Sequence, residues 1–377
     1  MTRRPLATAV LLFLAAVDAA GYSVIAPVLP EIADRTGAQP AAMGALAAVF
    51  PLTMLPGLAW SGRSIRHGHL RRVLLVSLAL VLLGTLAFVL ASGWWLLFAG
   101  RAVMGFGSGG VWMAVTLRTL EYHPGQGYQA MSRVYAAYSL GALVGPALGA
   151  LPGIHLPFLS YALLLVVGVL ATVRLPNPEQ RMVYEHDRTW RGNIGFWYSA
   201  VAIMLGMLSI GLIDGVLPLH FSSLLSQWQI GLLYVATAVV TALAAVVAGY
   251  ARAGLALLVG VSALCAGLAL AGGTTLVAAW VVGLALLGAA AGSVQTGSTG
   301  ELLHAVPSAR IVSAMTAWSQ LGILGYFLAP AVGGVVAQTM GYGALVLVPL
   351  ALVVPLIVLA VVSRRRLALP RSEPADG

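Results

Sequence analysis

Residues 141–150 read GALVGPALGA, a decapeptide that few environments allow to be a helix. Gly141, Gly145 and Gly149 recur every fourth residue, so a helix here carries a stripe bare of side chains, with Pro146 inside it. In water, that much glycine plus an internal proline breaks a helix. Lipid tolerates both, because neighbouring helices re-satisfy the freed carbonyls and small residues four apart let two backbones approach closely. A second stretch, GYFLAPAVGG at 325–334, repeats the arrangement with Gly325, Pro330 and Gly333. Ala130-Met131 and Ala314-Met315 stand at equal distances before Pro146 and Pro330, so the register runs beyond the glycines. The reading is two homologous halves.

Composition agrees with lipid. Of 377 residues, 60% are hydrophobic and 8% charged, with a mean hydropathy of +0.95. A soluble domain carries about 25% charged residues. The lone Cys265 excludes a disulfide framework or a thiolate metal set, and no metal or cofactor is expected.

Apolar runs fall at about 6–29, 41–61, 73–91, 94–119, 128–151 and 156–173, then at 195–218, 229–250, 253–271, 275–303, 309–337 and 343–362. Each is long enough to cross a bilayer. The first is too long for a signal peptide and reads as a retained span. Between the two sets lies a polar stretch with Pro176, Pro178, Glu179, Glu185 and Asp187. The expected fold is an all-α membrane protein of twelve transmembrane helices in two pseudo-symmetric six-helix bundles. Residues 1–174 form the first bundle, 175–193 a cytoplasmic linker and 194–377 the second bundle with a short tail.

Arginine sets the orientation. Arg63, Arg66, Arg71, Arg72, Arg118, Arg174, Arg181, Arg188, Arg191, Arg252 and Arg310 belong to loops on the side of the amino terminus, as do Arg364 to Arg366 in the tail. Arg35, beside Glu31 and Asp34, stands alone on the opposite side. The positive-inside rule therefore puts both termini and the linker in the cytoplasm, with the chain in the cell membrane.

Twelve spans in two sixes around a basic central loop resemble the major facilitator superfamily. The sharpest likeness is to its fifth-span pattern G-x-x-x-G-P-x-x-G-G, met by Gly141, Gly145, Pro146 and Gly149 with Ala150 in the last place. In the superfamily this pattern accompanies proton-linked exporters. Arg101, Gly105 and Gly109 are similar to the family's fourth-span motif. The loop between spans two and three departs from the family's G-x-x-x-D-R-x-G-R-R. Gly62 is followed four places on by Arg66, then His67, Gly68, Arg71 and Arg72, with the acid missing. In the family that acid helps to latch the halves. Its counterpart in the second half, Gly249 to Gly254, keeps only Arg252.

Charge inside a membrane costs roughly 2.5–3.5 kcal/mol on insertion scales, so each such residue asks for a reason. Asp18 lies mid-way along span one and Arg101 within span four. If the resemblance makes those spans neighbours, the two side chains can meet. Asp18 then reads either as a proton carrier modulated by Arg101 or as half of a static pair that orients helices. Asp214, near the outer end of span seven, is a second proton or cation acceptor, or a solvated end charge. Glu301 and His304 read as terminal groups.

The resemblance implies a path between the halves, with Tyr22, Tyr138, Gln295, Trp318 and Gln320 as candidate cavity residues. Gly105, Gly109, Gly141, Gly145, Pro146, Gly149, Gly325, Pro330 and Gly333 are the expected sliding seams, span five facing the small Ala236, Ala238, Ala242 and Ala245 of span eight. A cavity of few polar anchors suits lipophilic compounds, and the acids favour cations. The expected function is proton-coupled efflux by alternating access, by a monomer whose partners are a small-molecule substrate, protons and the bilayer rather than nucleic acid. The alternative is uptake of a nutrient or metabolite by the same fold. No nucleophile–base pair, metal cluster or phosphate loop points to an enzyme.

Overall fold

The computed structural model describes residues 3–28, 31–32, 35, 40–91, 93–175, 189–221 and 223–368. Among them are twelve helices of 19 to 30 residues. The first six are α1 Arg3–Ser23, α2 Pro40–Arg66, α3 Leu70–Val89, α4 Trp94–Tyr122, α5 Gly127–Gly149 and α6 His155–Val173. The second six are α7 Ile194–Gly215, α8 Gln227–Ala248, α9 Ala253–Gly273, α10 Val277–Ala305, α11 Ile311–Met340 and α12 Leu347–Ala368. Every expected span is matched by one of these helices. Ten are long and apolar enough to cross a membrane on composition alone, and the two that are not are α4 and α5. Those two carry Arg101, Arg118, Glu121 and Arg133 together with much of the glycine. The linker residues Pro176, Pro178, Glu179, Arg181, Glu185, Asp187 and Arg188, and Asp34 of the opposite side, lie outside the described residues.

The two bundles repeat one packing plan. In the first, α1 packs on α5, α2 and α3 on α4, and α6 on α3; in the second, α7 packs on α11, and α8 and α9 on α10. Bare backbone makes these contacts. A Cβ on Gly141 would overlap the Ala16 carbonyl, one on Gly145 the Ser23 hydroxyl, and one on Gly149 the Val24 carbonyl, so α5 lies directly on α1. In the second bundle Gly325 closes on the Met204 carbonyl of α7, Gly333 on Leu212, and Gly215 on the ring of Pro330. Gly105 meets the Phe50 carbonyl and Gly109 the Met54 carbonyl of α2.

These contacts correct the expected seams. Gly141, Gly145, Pro146 and Gly149 belong to a helix pair inside the first bundle, and Gly325, Pro330 and Gly333 to one inside the second. Gly105 and Gly109 join α4 to α2, also within one bundle. Spacing four residues apart demands a close neighbour but does not name it, and for the stripes of α5 and α11 the neighbour is the bundle's own first helix. Helix α5 does pack on α8 across the bundles, as expected, while Ala245 on the small face of α8 also serves its own bundle: Gly292 of α10 packs on the Thr241 carbonyl and the Ala245 amide. Gly145→Leu should therefore push α5 off α1 and cost ~1–3 kcal/mol or more of stability. The check is a lowered melting temperature in detergent; a variant that melts as the parent does and stops transport instead would restore the seam reading.

Candidate functional site

Four charged side chains are buried among the described residues: Asp18, Arg101, Arg118 and Glu121. Asp18, from the middle of α1, accepts a hydrogen bond from the Ser108 hydroxyl of α4 at 3.0 Å. Arg101 donates to the carbonyls of Gly21 at 3.0 Å and Tyr22 at 2.8 Å. Its guanidinium carbon lies 4.3 Å from the centre of the Phe50 ring. The last carbonyls of a helix have no donor within it, and a cation there also meets the negative end of the helix dipole. Arg101 thus holds the end of α1, and the expected pairing with Asp18 is not made. The α1 carbonyls occupy its donors first. Arg101 Nε and the Tyr161 hydroxyl are buried without a partner among the described residues, and both belong to residues grouped around this end of α1.

Arg118 departs from its expected loop position. It is buried in α4 and paired to Glu121 at 2.9 Å. Arg35 pairs with Glu31 at 2.6 Å in an exposed contact.

Between the bundles lies a small cavity of about 60 Å³. Its wall is aromatic: Trp112 of α4, Tyr135 and Tyr138 of α5, and Trp318 of α11, with Met54, Met207 and Gln295 among the rest. Three of the expected cavity residues, Tyr138, Gln295 and Trp318, are in this wall. Two are not. Tyr22 stands edge-on to Phe50 at 5.4 Å and to Tyr326 of α11 at 5.6 Å, bridging the bundles beyond the cavity. Gln320 instead donates to the Leu55 carbonyl at 3.1 Å, tying α11 to α2.

The wall's polar atoms divide into two sorts. Trp112 Nε1 donates to the Ser319 hydroxyl at 3.2 Å, Tyr135 shares its hydroxyl with Thr299 at 2.8 Å, and Trp318 Nε1 donates to the Ser199 carbonyl at 3.1 Å. The Tyr138 hydroxyl and the Gln295 amide have no hydrogen-bond partner among the described residues. Trp112 is one helical turn after Ser108, and Tyr138 is within electrostatic reach of Asp18, so the buried carboxylate lies just beyond the aromatic wall. Asp214 is exposed near the end of α7 and accepts from the Tyr326 hydroxyl at 3.3 Å. Sequence reading missed Trp112 and Tyr135. Tyr135 is three residues from Tyr138, hence on the same helix face, a signal that was available.

The bundles meet chiefly toward the end that carries both chain termini. A Cβ on Gly62 of α2 would strike the Thr316 hydroxyl of α11, and one on Gly249 after α8 would strike the Ser132 hydroxyl of α5. Thr316 and Ser132 follow directly on Ala314-Met315 and Ala130-Met131, the paired dipeptides of the two halves, so the contacts are related by the repeat. Nearby, the Tyr128 hydroxyl donates to the Ala248 carbonyl at 2.6 Å, and Trp190 Nε1 to Ser313 at 2.9 Å. Where the family's loop acid is missing, glycine and hydroxyl contacts join the bundles.

A comparison of folds agrees with this plan. The crystal structure of the human organic anion transporter MFSD10 (TETRAN) superposes with a TM-score of 0.82 over 95% of this chain and 100% of that one, at 16% identity. The Major Facilitator Superfamily model matches residues 11–192. That match covers just under half of the 377-residue chain. The chain is a multi-pass membrane protein with the fold of that transporter structure. Among curated relatives, the class G tetracycline resistance protein of Vibrio anguillarum is 33% identical over 164 residues, covering 41% of this chain and 40% of the relative. The class B tetracycline resistance protein of Escherichia coli is 31% identical over 175 residues, covering 44% and 43%. The chain thus matches about two fifths of the length of these relatives.

Gly249→Leu should wedge the bundles apart at the end bearing the termini. In a Cys265→Ser background, a cysteine placed at Ser319 of the cavity wall should then react several-fold faster with a membrane-impermeant thiol reagent from that side. Unchanged labelling would show that Gly249 is not part of the closure.

Proposed function

We propose that this chain is a proton-coupled efflux transporter of small lipophilic or cationic compounds, working by alternating access. The observation that carries the reading is the aromatic cavity between the bundles, with two unpartnered polar groups in its wall and a buried carboxylate just beyond it. Such a wall suits a cargo of apolar surface with one or two hydrogen-bonding groups, admitted as the bundles part, and Tyr138 and Gln295 are the groups to receive them. The relatives named for tetracycline resistance support export as the direction of travel.

Asp18 is the proposed proton carrier. Among the described residues Ser108 is its one hydrogen-bond donor, and a single neutral donor leaves the carboxylate free to take a proton in a buried site. Arg101 contributes by fixing the end of α1, and so the height of Asp18, rather than by pairing with it. Asp214, exposed beside Tyr326, is the proposed acceptor for protons or cations on the opposite face. The bundles, taken as 1–174 and 194–377 with a linker at 175–193, rock as units. The glycine stripes inside each bundle keep it rigid, while the contacts at Gly62 and Gly249 open and close. The protein acts as a monomer in the cell membrane with both termini in the cytoplasm, consistent with the arginine bias.

Reconstituted protein should move a lipophilic cation against its gradient when a pH gradient is imposed, and Asp18→Asn should abolish this while leaving the folded yield intact. Full pH-driven transport by Asp18→Asn would overturn the carboxylate's role. Cargo that equilibrates passively in the parent protein would point to facilitated uptake instead. Tyr138→Phe and Gln295→Ala, each removing one hydrogen-bonding group, should raise the apparent KM by about 2- to 10-fold, as expected for a bond worth ~0.5–1.5 kcal/mol.

A further inference from the structure

The two bundles differ in one place where their shared plan predicts sameness. Gly105 and Gly109 of α4 close on the carbonyls of Phe50 and Met54 in α2; Gly288 and Gly292 of α10 close on the carbonyls of Thr237 and Thr241 in α8. That match fixes the register of the repeat, so Met54 corresponds to Thr241. Six residues on, Trp60 corresponds to Val247. One residue past the glycines, Phe106 corresponds to Ala289 and Gly110 to Ser293.

In the first bundle the Trp60 and Phe106 rings lie 5.7 Å apart. Trp60 comes within 3.6 Å of the Cβ position of Gly110, over which Ser77 of α3 also closes. These side chains fill the angle between α2 and α3, which pack against each other. In the second bundle the large pair is absent, and α8 and α9 each lie on α10. What remains is an apolar groove of about 340 Å³, its floor at Ser293. Its rims include Leu243 and Val247 of α8 and Leu255 and Val259 of α9, all more than half exposed. Ser293 is nine-tenths buried, and its hydroxyl has no hydrogen-bond partner among the described residues. Arg252 stands at the mouth, between the groove residues Ala251 and Leu255, exposed at the start of α9. Tyr250 beside it is 69% exposed, as suits an aromatic residue at the headgroup level. Glu301 approaches this loop at 3.6 Å from the Cβ position of Gly254, but is half-buried where Arg252 is exposed.

We propose that this groove holds an acyl chain of an anionic phospholipid from the leaflet on the side of the chain termini, with the lipid phosphate against Arg252. The groove is open sideways to the bilayer, so its neighbours are acyl chains. A single arginine at its headgroup end selects negative charge, as basic residues beside membrane helices do. The lipid would fill the angle that Trp60 and Phe106 fill in the other bundle.

The test uses the full-length protein reconstituted in vesicles containing phosphatidylglycerol or phosphatidylcholine with a photoreactive diazirine on the acyl chain. Peptides spanning 240–259 should carry several-fold more crosslinked phosphatidylglycerol than the lipid-facing peptides of α6 (Leu163, Val167, Leu170). Val247→Trp, which restores the ring of the first bundle at an exposed position, should reduce that labelling several-fold. Arg252→Gln should keep the acyl contact but bring phosphatidylglycerol down to the level of phosphatidylcholine. Labelling spread evenly around the bundle, or unchanged by Val247→Trp, would overturn the site. A headgroup preference surviving Arg252→Gln would overturn the role given to the arginine.

Discussion

Within a bilayer, one apolar helix gains little by leaving lipid for another, because lipid tails are as apolar as leucine. The bundles therefore depend on how closely backbones can come together. In this chain that closeness is supplied by glycine at matched places: Gly141, Gly145 and Gly149 on α1, Gly325 and Gly333 on α7, and Gly105, Gly109, Gly288 and Gly292 on α2 and α8. Each is a position where a Cβ would meet a neighbour's carbonyl or side chain, so dispersion contacts form along whole helix faces. The proline inside α5 is accommodated for the same reason. Two bundles result, each closed on its own glycines, and α5 on α8 and α2 on α11 join them.

That division of labour explains the chemistry of the site. Arg101, a costly charge in lipid, is spent on the end of α1, where two carbonyls would otherwise lack donors. Fixing that end fixes the height of Asp18 beside Ser108. Trp112, one turn along from Ser108, then reaches into the space between the bundles, where Tyr135, Tyr138 and Trp318 complete an aromatic wall. Helix-end capping, carboxylate placement and cavity wall thus form one connected sequence of contacts running from α1 through α4 to α11. At the termini end the contacts of Gly62 and Gly249 sit beside the same Ala-Met dipeptides that reveal the repeat.

The span pattern, the duplicated halves and the membrane class were legible because each is written in spacing or composition, which lipid enforces residue by residue. Asp18 was legible for the same reason: a carboxylate amid nineteen residues of apolar helix stands out. Partners were not. Gly145 announces a close neighbour, but only the packing makes that neighbour α1 rather than the opposite bundle. Arg101 announces a need for acceptors, and carbonyls at a helix end satisfy it as well as a carboxylate does. Arg118 looked like a loop charge because Glu121, three residues on, pairs with it only once both are carried inside a helix.

Sequence alone determined that this chain lies in lipid as two repeated sets of six helices, since hydropathy and a four-residue glycine period are local properties that the solvent reads directly. Only the tertiary structure decided which faces those glycines join, which acceptors Arg101 takes, and which aromatic rings enclose the space between the bundles. Those outcomes depend on which helices become neighbours and at what height, and a one-dimensional pattern does not carry that information.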